Sequence, residues 1–74
     1  MSATNRRPNA PTPSLPAETK VLNTRDGEPG SVLNGFAYDP AAGEWTEYEV
    51  VTRYGVERWQ RRDFILFSEF QNNA

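Results

Sequence analysis

From Trp45 to Arg53 the side chains alternate, with Tyr48, Val50 and Thr52 on one face and Glu47, Glu49, Val51 and Arg53 on the other. A period of two, rich in β-branched residues, predicts a half-buried strand. The alternation resumes after Tyr54-Gly55, where Val56, Arg58 and Gln60 oppose Glu57, Trp59 and Arg61, so the two runs predict a hairpin. Arg61-Arg62-Asp63 breaks the pattern and fits a single 3₁₀ turn. Phe64-Ile-Leu-Phe67 then supplies a last apolar strand.

Upstream the punctuation is equally regular. Lys20-Val-Leu-Asn23 predicts a short first strand, ended by the turn-rich Arg25-Asp-Gly-Glu-Pro-Gly30. Ser31 to Tyr38 predicts a second strand, with Gly35 marking a bulge or bend. Asp39 to Glu44 is a hairpin loop, because Pro40 and Gly43 punctuate it. Ser68 to Ala74 is a frayed end or one helical turn. No other window keeps a 3.6-residue period long enough to nucleate a helix.

Residues 1–18 have a different character. Pro8, Pro11, Pro13 and Pro16 alternate with Ser, Thr, Asn and Ala, and Leu15 is the one sizeable apolar residue after Met1. Such a segment buries too little to offset an ordering entropy of roughly 1–2 kcal/mol per residue. It predicts a disordered tail with polyproline II bias. All nine aromatic residues lie between Phe36 and Phe70, which places the expected core there. The chain thus divides into a tail (1–18), one small β domain (19–68) and a frayed C-terminus (69–74).

The fold class is all-β: a small antiparallel barrel or strongly bent sheet of four to five strands. Short strand, turn-rich loop, strand, two hairpins, 3₁₀ turn and last strand, over residues 20 to 67, resembles the SH3-like and Tudor-like small barrels. That resemblance implies binding of peptides, methylated side chains, nucleic acid or other domains. The chain also invites comparison with the type II dihydrofolate reductases, single small barrels with a loose tail. Where they carry Val-Gln-Ile-Tyr this chain has Val56-Glu57-Arg58-Trp59, which removes the glutamine and tyrosine and sets charges in their place.

Composition narrows the chemistry. The chain has 74 residues, a net charge of −2, no cysteine and no histidine. The commonest general base, nucleophile and transition-metal ligands are therefore missing, and no disulfide framework exists. Glu47 and Glu49 share one strand face, whereas an acid/base pair needs carboxylates in contrasting environments across a cleft. No glycine cluster forms a phosphate-binding loop. The expectation is a protein without catalytic activity, cofactor or metal. With no secretory h-region after the basic Met1–Pro8 start, and no apolar run near the ~20 residues a bilayer needs, it is expected to be cytoplasmic, off the membrane and monomeric.

Charge is placed unevenly. Asp39, Glu44, Glu47 and Glu49 precede a run containing Arg53, Arg58, Arg61 and Arg62. These arginines with Tyr54 and Trp59 have the composition of interface hot spots, and Arg6 and Arg7 add auxiliary contacts from the tail. Arg53 and Arg58 differ in strand face, so not all four arginines share one patch. Trp59 has an ordinary alternative as a core residue. Arg61 and Arg62 have one too, as partners of Asp63 or of the Glu-rich strand. Tyr38, Trp45, Tyr54 and Trp59 would form a Tudor-type cage only by converging on one pocket. Nucleic acid is a second choice of partner, because the low total charge and the acidic hairpin repel phosphate.

The short acidic chain, the Pro-rich tail with Arg6 and Arg7, and the compact β core resemble small phage-encoded transcription regulators of the Xanthomonas phage type. That resemblance implies docking on a subunit of host RNA polymerase, in the host cytoplasm, to inhibit or modify transcription.

Overall fold

The computed structural model describes residues 11–72. Its elements are β1 (Lys20–Asn23), β2 (Pro29–Asp39), β3 (Glu44–Thr52), β4 (Gly55–Gln60), a 3₁₀ turn (Arg61–Asp63), β5 (Phe64–Leu66) and α1 (Phe67–Asn72). Every neighbouring pair is antiparallel, and the order across the sheet is β4-β3-β2-β1-β5. This is the SH3-like or Tudor-like topology expected from the sequence, in its bent-sheet form. β4 and β5 are the two ends of the ladder and do not pair, so no barrel closes.

The bend belongs to β2. Its start pairs with β1 and its remainder with β3, with register shifts between Val32/Asn34, Gly35/Ala37 and Ala37/Tyr38. Bulges of this kind bend the strand and sharpen its twist. The concave side collects Val21, Val32, Tyr48, Val50, Trp59 and Phe64, all at most 6% exposed. Register explains the set, because Val32 opposes Val50 and Tyr48 opposes Trp59, and directly opposite residues share a face. Phe64 meets Tyr48 edge-on at 5.9 Å and Trp59 at 6.1 Å between ring centroids.

Two glycines let this packing happen. A Cβ at Gly30 would run into the Val50 side chain and lie 3.2 Å from Cη2 of Trp59. A Cβ at Gly35 would lie 2.6 Å from Cε3 of Trp45 and 2.9 Å from Cγ of Pro13. The buried polar side chains of Asn23 and Thr52 are satisfied locally. Asn23 accepts from the Arg25 N–H at 2.8 Å, while Thr52 donates to the Gly55 carbonyl and accepts from the Tyr54 N–H, both at 3.0 Å.

The N-terminal region differs from the bare tail that its composition suggests. Residues 1–10 lie outside the described residues. From Pro11 to Thr19 the chain has neither helix nor strand, yet it lies on the sheet. The Trp45 indole N–H donates to the Pro11 carbonyl at 3.1 Å, and Leu15 packs against the core. The Glu18 N–H donates to the Val32 carbonyl at 2.7 Å, and the Val32 N–H to the Thr19 carbonyl at 2.9 Å. A polar chain without a receiving surface stays disordered; here Gly35 and Trp45 provide that surface. The core accordingly extends upstream of Phe36, to Leu15, Val21 and Val32.

At the other end, Phe67 opens a helix instead of finishing a strand. Glu69 reaches back so that the Leu66 N–H donates to its Oε1 at 3.1 Å, the reciprocal half of a capping box.

Candidate interaction surface

The convex side of β2–β4 is built by the same alternation that fills the core. Val51 opposes Val56, Glu49 opposes Arg58 and Glu47 opposes Gln60, all directed away from the buried Tyr48, Val50 and Trp59. Across the β2–β3 pair the third register shift leaves Thr46 as an extra residue on β3, and the extra residues that the others leave on β2 are Leu33 and Phe36. A bulge re-aims the side chain of its extra residue, and both are turned to solvent, 40% and 41% exposed. Val51 and Val56 are exposed as well, so four apolar side chains share one open face.

Arg58 completes this face. Its guanidinium lies over the Phe36 ring, 4.5 Å from the centroid. The carboxylate of Glu49, its register partner, accepts instead from Asn34 Nδ2 at 3.2 Å. Among the described residues Arg58 makes no ion pair. A guanidinium stacked on an exposed ring keeps its in-plane donors free for an incoming acceptor.

The other residues singled out from the sequence are scattered. Arg53 and Tyr54 sit at the β3–β4 tip, where Arg53 pairs with Glu28 at 3.4 Å and lies 5.5 Å from the centre of the Tyr54 ring. Trp59 is in the core, its indole N–H donating to Glu57 Oε1 at 2.8 Å. Arg61 is half-buried: it donates to the Phe64 carbonyl at 2.9 Å and covers the Phe64 ring at 4.8 Å. Arg62 is exposed beside Glu44, Thr46 and Gln60. Asp63 pairs with Arg25 at 3.7 Å, not with Arg61 or Arg62. Arg6 and Arg7 lie outside the described residues. The structure brings together Arg58, Phe36 and the exposed valines; Arg53 lies apart at the β3–β4 tip, and Arg61 and Arg62 line one shallow depression with Glu44, Thr46 and Gln60.

The four cage candidates do not converge. Tyr38 and Trp45 meet at a tilt, 5.3 Å between centroids, at one end of β3, Tyr54 stands beyond the other end, and Trp59 is buried. Among the described residues no group of three or more His, Cys, Asp or Glu side chains could hold a metal ion, and no helix is long and apolar enough to cross a membrane.

Sequence reasoning missed Leu33, Phe36, Val51 and Val56. A signal was present in the adjacent apolar pairs Val32-Leu33 and Val50-Val51, since one member of each pair in a strand must face away from the core. Together the strand order and this face define a small β domain suited to protein contacts. Comparison with protein-family models, curated proteins and solved structures finds no match, so no relative assigns a role to any of these residues.

Proposed function

We propose that the chain is a non-catalytic protein-binding domain that regulates its partner by docking through the outer face of β2–β4. The observation that carries this reading is Phe36, turned outward by a bulge and capped by Arg58, with Leu33, Val51 and Val56 on the same face. An exposed aromatic beside an arginine without an ion pair is the composition of an interface anchor. Glu47 and Glu49 lie on an open strand face, not across a cleft, which favours binding over acid/base chemistry. The target comes from the resemblance to phage-encoded regulators: a bacterial RNA polymerase subunit.

The test is a pull-down from bacterial lysate, with and without nuclease, using the natural chain and Phe36→Asp. A polymerase subunit should be retained in both conditions. Phe36→Asp should weaken its affinity at least about tenfold while the chain stays folded by circular dichroism, with a stability loss of about 1 kcal/mol from the lost Arg58 contact and strand propensity. Retention that disappears with nuclease would replace this reading with a nucleic-acid-binding domain. Binding by Phe36→Asp at natural strength would remove the outer face from the interface. Recovery of another protein alone would refute the polymerase as target.

A further inference from the structure

An open sheet has two edges, and here the two are treated differently. β5 has only three residues, and two of its backbone groups are already occupied by side chains. Arg61 donates to the Phe64 carbonyl, and the Leu66 N–H donates to Glu69. At the opposite edge, β4 pairs with β3 on one side only. Among the described residues, no side chain and no loop backbone hydrogen-bonds to the main chain from Val56 to Gln60. In an antiparallel pair, alternate residues direct both their N–H and C=O away from the partner strand. β4 therefore presents an unpaired ladder to solvent.

Space exists beside that ladder. An open, polar depression of about 460 Å³ lies between β4 from Glu57 to Gln60 and the Asn23, Arg25, Asp26 and Asp63 side of the β1–β2 turn and the 3₁₀ turn. That size is within the range of ligand sites, and it occupies the gap where a closed barrel would have had its seam. A polar gap along a free strand edge matches an extended backbone, whose own N–H and C=O groups need partners.

β4 is a poor partner for itself. Two copies pairing antiparallel about a twofold axis set the residue at the axis opposite its own mate. Registers centred on the strand put Glu57 against Glu57 or Arg58 against Arg58, and like charges directly opposite destabilise a pair.

We propose that β4 is the seat of strand addition: an extended segment of a partner protein pairs with Val56–Gln60 and extends the sheet. This deepens the preceding reading and rests on it only for the premise that the partner is a protein. Side chains of the added strand fall alternately on the two faces. On the outer face they meet Val56 and Arg58, which select an apolar residue and, two positions away, an acidic one. On the depression side they meet the carboxylates of Asp26, Glu57 and Asp63 with Arg25 as the one facing cation from the β1–β2 turn, a balance that favours hydrogen-bond donors.

The experiment uses the full chain as bait for a displayed library of short linear peptides, followed by ¹⁵N-detected hydrogen exchange with the best synthetic peptide. Enriched peptides should carry the alternating apolar/acidic and donor pattern. Binding should slow exchange at alternate amides of β4. N-methylating the peptide at the amides that face β4 should weaken binding at least about tenfold, and the intervening amides should tolerate it, because each lost bond leaves a desolvated carbonyl. Failure to enrich any peptide, or binding that leaves every β4 amide unprotected, would overturn strand addition. The two readings fail separately. Peptides that protect β4 yet bind Phe36→Asp at full strength would keep strand addition and remove the outer face. Peptides abolished by Phe36→Asp without β4 protection would do the reverse.

Discussion

Side chains that look alike in the sequence do different jobs in the fold. Trp59 fills the space between Phe64 and Gly30, so Trp59→Ala should cost about 3–5 kcal/mol of unfolding free energy in a denaturant titration. Gly30→Ala attacks the same contact from the opposite side. Its methyl group has no room beside Val50, and overpacking of this kind costs about 1–3 kcal/mol. The arginines divide similarly. Arg62 is exposed and makes no ion pair among the described residues, so Arg62→Ala should leave stability within about 0.5 kcal/mol. Arg61→Ala strips a donor from the Phe64 carbonyl and a cover from its ring, and should cost about 1 kcal/mol or more in the same titration. Adjacent arginines with such different outcomes are what their sequence could not distinguish, since a turn decides which one folds back.

Among the elements, the arm from Pro11 to Thr19 and the short α1 each add something the strands lack. Removing residues 1–15 takes away Leu15, Pro13 and the carbonyl that receives the Trp45 indole N–H. A shortened chain should unfold at a lower denaturant midpoint, with a loss of about 2 kcal/mol from apolar burial and one hydrogen bond. Glu69→Ala uncouples α1 from the end of β5 and should cost about 1 kcal/mol, read as faster hydrogen exchange at the Leu66 amide. Most elements were legible in the chain because alternation and turn residues agreed: the hairpin at Asp39–Glu44, the strand through Val50, the 3₁₀ turn at Arg61–Asp63. The outward turn of Phe36 was not, because a register shift is a property of two strands together. One strand read alone, even with Gly35 marking the place, does not say which neighbour loses its partner residue.

For the whole molecule, electrostatics contributes little to stability. The ion pairs Arg25–Asp63 and Arg53–Glu28 each use a largely exposed arginine, so they contribute at most about 1 kcal/mol and less in high salt. The acidic and basic segments noted in the sequence end up on adjacent strands, with Glu47 opposite Gln60 and Glu49 opposite Arg58 on one face, and among the described residues no ion pair joins them. What remains directional is the ladder, capped at β5 and open at β4. The placement of the two tryptophans has a practical side. Trp45 is half-buried beneath the arm, whereas Trp59 is enclosed by the core, and they share no ring contact. The domain therefore carries two built-in optical reporters. With Trp45→Phe, fluorescence follows the collapse of the core alone; with Trp59→Phe, the remaining indole reports when the arm lifts from the sheet. Red-shifted emission from Trp45 at denaturant concentrations where Trp59 is still blue would show the arm leaving as a separate step, ahead of the fold it rests on.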